Sequence, residues 1–189
     1  YSYSSGKYIF LLNSDTILLN NAVKDFFLEA EKTDRSIACL GAILKDKEHN
    51  SSHSFGKFPK LRSDLFYNAF LLPLNYLLNQ NIKKIGTDFN QTNNGKVDYI
   101  TGADLFIRRS IIEKFGLFDP IYFMYYEETD LQKKYHSHGF FSKIIETPKI
   151  IHLEGASNAS IPNFNKILIQ VKSRLTYFKK WNNNLAFKF

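Results

Sequence analysis

Cysteine is nearly missing from this chain of 189 residues: Cys39 stands alone. A single thiol excludes an internal disulfide framework, and inside the apolar stretch SIACLGAIL it reads as core packing in a reducing compartment. Long hydrophobic runs are missing too. A membrane-spanning helix needs roughly 18 or more consecutive apolar residues. The longest greasy segment, LFYNAFLLPLNYLLN at 65–79, is broken by Asn68, Pro73 and Asn75. No run of five basic residues occurs, so the formal net charge of +7 is dispersed. Dispersed charge argues against a nucleic-acid binder, while the positive balance still favours acidic lipid surfaces or phosphorylated small molecules. No secretory signal is visible, which with the lone thiol points to a cytoplasmic setting. Residues 1–8 hold no start methionine and run straight into a strand, so the chain reads as a piece of something longer.

What is present is a globular composition. Hydrophobic residues make up 44% of the chain, enough for a core and outside the disordered range. Aromatics are abundant, with 18 Phe and 11 Tyr, and imply broad packed faces or a site for flat ligands such as sugars and bases. The length suits one domain.

The order of elements predicts an α/β fold with a mostly parallel sheet flanked by helices. Residues 8–12 form a short apolar run, the pattern of a strand buried on both faces. In 20–32, Val23, Phe26, Phe27 and Ala30 make one stripe of a helix capped by Asn20 or Asn21. A buried strand follows at 37–44. The stretch 45–96 is poorly patterned, with a helix expected at 61–79. Regular pattern returns with a strand at 97–101, an apolar run at 105–107, a short helix at 110–115 capped by Ser110, and a helix at 127–138 stopped by Gly139. Short strands at 142–146 and 149–153 flank Pro148. Residues 164–181 form a basic amphipathic helix with Ile167, Leu168, Val171, Leu175 and Phe178 on its apolar side; that face either packs on the domain or meets a membrane surface.

Polar groups follow several strands: Asn13 and Asp15 in IFLLNSDT, Asp104 after TGA, and His152 after two isoleucines. Each has an ordinary reading, as a turn former or a structural histidine. Yet in open α/β sheets the strand ends share one crevice, where ligands bind. YYEETDL sets Glu127, Glu128 and Asp130 within four residues. Acids there either favour a helix N-terminus or put a carboxylate at an aromatic-lined pocket as a general base; Glu127 and Asp130 share a face while Glu128 points elsewhere. Asp15 and His152 are able to supply oxygen and nitrogen ligands to a divalent ion completed by substrate phosphates.

Taken in order, YIFLLNSDT, YITGADLFIRR, GLFDPIYFMYYEETDLQKKYHSHGF and IIHLEGAS resemble glycosyltransferase family 2, with its rhamnosyltransferase-like branch as the nearest match. The resemblance covers about residues 6–181 and is thin over 45–96. It implies a GT-A fold, of which residues 1–160 would be the C-terminal part of the catalytic domain, with 45–96 on the acceptor side and 161–189 a basic helix and tail. It further implies an inverting enzyme that moves a sugar from a nucleotide-diphosphate donor to a hydroxyl of a glycan or lipid-linked acceptor in surface polysaccharide synthesis. Position by position, Asp15 matches the last carboxylate of the metal motif, and Asn13, standing where other members carry an acid, contacts the donor. Gly102 and Ala103 match the floor of the sugar pocket. Asp104, Glu127 and Asp130 fall on the acceptor side, and Glu128 takes the position of the base, often Asp in the family. His152 completes the site of a divalent cation, Mn²⁺ or Mg²⁺. The family's N-terminal nucleotide-binding portion has no counterpart here, so this fragment is expected to bind donor weakly and turn over poorly. A noncatalytic carbohydrate- or membrane-surface-binding domain of the same fold is the competing expectation.

Overall fold

The computed structural model describes residues 3–62, 86–153 and 163–182. The helix expected at 61–79, apart from residues 61–62, and the boundary between 160 and 161 therefore lie outside the described residues.

Three strands open the chain around one helix: β1 (Tyr8–Leu12), β2 (Thr16–Leu18), α1 (Ala22–Lys32) and β3 (Ile37–Lys45). Two-residue strands follow, β4 (Phe55–Gly56), β5 (Lys96–Val97) and β6 (Tyr99–Ile100). Then come β7 (Asp104–Arg108), α2 (Arg109–Phe115), α3 (Glu127–Ser137), β8 (Phe141–His152) and α4 (Asn163–Trp181). The main sheet runs β1-β7-β3-β8-β2, with β5 also on β8, while β4 and β6 pair separately.

The sheet is mixed, as the resemblance implies, but it is not mostly parallel. Among the described residues only β3 and β8 pair in parallel; β1–β7, β3–β7, β2–β8 and β5–β8 are antiparallel. Continuous apolar runs mark strands covered on both faces, but they do not report direction, and β7 threads back between β1 and β3. By this pairing β1, β3 and β8 run the same way, so Leu12 and His152 end on the same side.

Alternation along β7 sorts its side chains onto two cores. Leu105 and Ile107 join Ile9, Cys39, Ile112, Leu131 and Tyr135, beneath α2 and α3. Phe106 joins Phe26, Ala30, Leu40 and Ile150 beneath α1. Phe26 is fully buried and stacks on Phe106 with ring centroids 5.4 Å apart. Burying such a ring stabilises by about 1.5–3 kcal/mol.

Several local expectations need correction. The N-terminal strand is buried at Ile9 and only partly covered at Phe10 and Leu11, because β1 is an edge of the sheet. The buried side of α1 is Ala22, Phe26 and Ala30, while Val23 and Phe27 are exposed; Asn21 caps it by accepting from the Lys24 N–H. Ser110 does not cap α2, whose N-cap is Arg108 without a side-chain bond. The two strands flanking Pro148 are one strand, β8. Its ladder to β3 shifts register between Ala42 and Leu44, opposite Ile145 and Ile150. A proline lacks the N–H a regular ladder needs, and the bulge accommodates it.

Candidate active site at the strand ends

Asp15 and His152 meet because of how β2 pairs with β8. Thr16 opens β2 directly opposite His152, the last residue of β8, and the Leu153 N–H donates to the Asp15 carbonyl at 2.9 Å. The preceding turn is closed by Thr16, whose N–H and Oγ1 both donate to the Asn13 carbonyl at 3.2 and 2.7 Å. The turn and the site are thus the same structure: the polar residues that end β1 also carry Asp15 inward, 7% exposed, while Asn13 stays exposed. The Asn13 N–H donates to the Ala103 carbonyl at 3.0 Å and ties the turn to the Thr101-Gly102-Ala103 segment after β6.

These strand ends and the N-terminus of α3 enclose a cavity of about 650 Å³, within the range of small-molecule sites. Asn13, Asp15, Gly102, Ala103, Glu127, Glu128 and His152 all line it, so seven of the nine residues singled out in the sequence come together. Gly102 faces Glu128: a Cβ there would stand 3.8 Å from the Glu128 Cβ. The fold would tolerate that atom, which would meet the stem of Glu128 at ordinary van der Waals contact.

Glu127 and Glu128 enter the cavity from a strained approach. Tyr125 and Tyr126 have φ of 65° and 67°, a left-handed conformation that costs L-residues on the order of 1–2 kcal/mol each. Such strain concentrates at functional sites, where the surroundings hold it. Glu128 is half-buried, and its Oε2 is sealed from solvent without a hydrogen-bond partner among the described residues, as is Glu127 Oε2. Desolvation, followed by the neighbouring Glu127 carboxylate, pushes Glu128 up to about 7. Desolvation raises Glu127 as well.

Two of the nine residues are placed elsewhere. Asp104, expected at the acceptor, is fully buried at the start of β7, where Oδ2 accepts the Ala42 N–H at 2.6 Å. Burial raises it well above the carboxylate range. Asp130, 1% exposed, is taken by the last helix: Lys180 Nζ and Trp181 Nε1 donate to it at 2.8 and 2.7 Å, and Tyr122 Oη at 3.3 Å. Sharing a helix face with Glu127 does not bring Asp130 to the cavity, because α4 covers that part of the face. Neither residue lines this cavity.

Sequence reasoning passed over three groups. Gln132 bridges α3 to both strands beneath it, accepting from the Ile100 N–H at 2.9 Å and Ser142 Oγ at 2.7 Å and donating to the Ile100 carbonyl at 2.7 Å. It fixes the helix that carries Glu128, and its signal was its place one turn after Glu128. His53 and Lys166 also line the cavity, from segments with no motif of their own.

The donor set suits a divalent ion in part. His152 Nε2 lies 3.4 Å from Asp15 Oδ1, and two ligands of one ion at about 2.0–2.2 Å stand roughly 3.0–3.5 Å apart. Among the described residues no group of three such side chains is placed to hold a metal. Asp15 and His152 therefore offer two positions, the partial ligation that leaves room for phosphate oxygens.

No protein-family model matches the chain, and no curated protein matches it. Among solved structures it is similar to GalNAc-T7, a glycosyltransferase solved with UDP, GalNAc and Mn²⁺, at 14% identity and a TM-score of 0.54 over 97% of this chain and 33% of that one. A second likeness, to A197 from STIV, has 11% identity and a TM-score of 0.43 over 77% of this chain and 57% of that one. The chain thus spans about a third of GalNAc-T7 and little more than half of A197. The first likeness shows a glycosyltransferase-like fold.

Proposed function

We propose that the chain carries the acceptor-side and metal-binding part of a GT-A-type glycosyltransferase, related to family 2, that transfers a sugar from a nucleotide-diphosphate donor with inversion. The observation that supports this most is the cavity in which the Asp15–His152 pair and the desolvated Glu128 face one space. The likeness to GalNAc-T7 agrees with a nucleotide-sugar partner and with divalent-cation use.

Glu128 has the environment of a general base near neutrality: a carboxylate of ordinary pKa is too weak to take a hydroxyl proton well. Its carboxylate accepts the acceptor hydroxyl proton as the hydroxyl oxygen forms a bond to the anomeric carbon. The bond from that carbon to the diphosphate oxygen breaks on the opposite face, and the electron pair leaves with the diphosphate. One displacement inverts the configuration and needs one base. Asp15 and His152 would hold Mn²⁺ or Mg²⁺, which when bound supplies Lewis-acid stabilisation of the departing charge. Gly102 and Ala103 leave the sugar room against the backbone, and Asn13 contributes uncharged hydrogen bonds at the rim.

A glycan or lipid-linked acceptor of surface polysaccharide synthesis fits this reading, as does peripheral contact with an anionic membrane. On α4, Phe164, Ile167, Leu168, Val171 and Leu175 are all exposed, at 45–68%, and residues 163–181 carry five basic and no acidic side chains. An exposed apolar stripe with basic flanks is the pattern of an interfacial helix.

Glu128→Gln tests the reading. With Mn²⁺ and a panel of sugar nucleotides, transfer to glycan acceptors should fall about a hundredfold or more while donor binding by calorimetry is retained. Unchanged transfer, or equal loss of binding, would count for a noncatalytic binding domain instead.

A further inference from the structure

We infer that Lys166, on the last helix, holds the diphosphate of the donor in the cavity; this rests on the sugar-nucleotide reading and adds to it a residue outside every motif. One side of α4 meets the protein. Ser173 Oγ donates to the Met124 carbonyl at 2.7 Å, Tyr177 is buried, and Lys180 Nζ donates to Asp119 and Asp130 at 2.7 and 2.8 Å. Lys166 precedes Ser173 by seven residues and Lys180 by fourteen, two and four turns of a helix at about 3.6 residues per turn. These anchors turn Lys166 toward the domain, opposite the exposed Phe164-Leu168-Val171-Leu175 stripe. Lys166 is half-buried there and lines the cavity.

Charge decides what it is there for. The other ionisable groups lining the cavity among the described residues are the carboxylates of Asp15, Glu127 and Glu128 and the imidazoles of His53 and His152. Lys166 is the one lysine or arginine among them. No ion pair joins it to a described carboxylate, although three lie around the same space. A diphosphate entering this space meets like charge from those of the three that are ionised. One divalent ion on two protein donors offsets part of it, and an ammonium with three donors on a flexible stem suits the remaining non-bridging oxygens. As the anomeric bond breaks, the electron pair settles on a phosphate oxygen, and Lys166 supports that charge from the helix side.

Inorganic pyrophosphate is the probe, because it needs no base- or sugar-binding surface. Calorimetry of this chain with Mn²⁺ and pyrophosphate should show binding that weakens about tenfold or more in Lys166→Ala and is largely retained in Lys166→Arg. Lys172→Ala, an exposed position on the same helix, should bind as the parent does. Mn²⁺ affinity without pyrophosphate, read by electron paramagnetic resonance, should be unchanged by Lys166→Ala. Equal pyrophosphate binding by Lys166→Ala and parent, or equal weakening by Lys172→Ala, overturns the assignment even where Glu128→Gln abolishes transfer. Loss confined to Lys166→Ala alongside unchanged transfer by Glu128→Gln keeps Lys166 and overturns the catalytic reading. Absence of pyrophosphate binding by the parent chain overturns both.

Discussion

Glu128 and Asp104 are both carboxyl groups raised by burial, and they sit on opposite sides of the line between site and scaffold. Glu128 borders the cavity and is poised near 7, so transfer should rise with pH through about 7 as the base loses its proton. Asp104 is sealed beneath the sheet and serves the Ala42 N–H. The two have the same effect on stability. A carboxyl whose folded pKa lies above its unfolded value binds its proton more tightly when folded. Its contribution is complete below the unfolded value and is lost as pH rises through the folded one. For Glu128 that window runs from the ordinary 4.5 to about 7. The melting temperature should therefore fall between pH 5 and 8, and Asp104→Asn, which keeps an acceptor for Ala42, should flatten that slope. A melting temperature that climbs across this range in both proteins would contradict the placement of these carboxyls. Residue type could not separate the two: TGAD put Asp104 one position past Ala103, and one step along the chain moved it from cavity wall to core.

At the scale of elements, α4 shows where pattern misled. Its apolar positions 167, 168, 171, 175 and 178 read as one face, either packed on the domain or turned to a membrane surface; the first four are exposed and Phe178 alone of the five is buried. The face that packs carries Lys166, Ser173, Tyr177, Phe178 and Lys180, where two buried rings join hydrogen bonds to Met124, Asp119 and Asp130. Hydrophobic periodicity finds a helix but cannot orient one whose contacts are partly polar. Asp130 is the centre of this joint. Asp130→Ala removes bonds to Lys180, Trp181 and Tyr122 and should cost on the order of 2–3 kcal/mol. Urea unfolding followed through Trp181, the single tryptophan, reads that loss directly. The same variant should weaken pyrophosphate binding, since the joint orients Lys166. Unchanged stability would mean that α4 is held by something other than Asp130.

For the whole molecule, the two sides of α4 imply an orientation. The polar side closes the cavity, and the opposite side presents five exposed apolar residues among basic ones. No described helix is long and apolar enough to cross a membrane. In flotation with vesicles containing phosphatidylglycerol the chain should rise with the lipid, and with neutral phosphatidylcholine it should not. Paired Ile167→Gln and Leu168→Gln substitutions should abolish rising without lowering the melting temperature, because both positions are exposed. Flotation that ignores lipid charge, or survives those substitutions, would remove the membrane from the account.

The sequence by itself determined most of the longer elements and most of the constellation. IFLLNSDT marked a strand and its polar end, TGA and EETD marked two cavity walls, and IIH marked the strand that returns to Asp15. These are local matters of apolar runs, caps and side-chain chemistry, which neighbours in the chain decide. Tertiary structure alone decided strand direction, since β7 threads antiparallel between β1 and β3 without altering their apolar runs. It also decided that Asp104 and Asp130 turn away while Lys166 turns in. A side chain's surroundings come from segments far along the chain, and hydrogen bonds such as Lys180 to Asp130 leave no periodic trace in the order of residues.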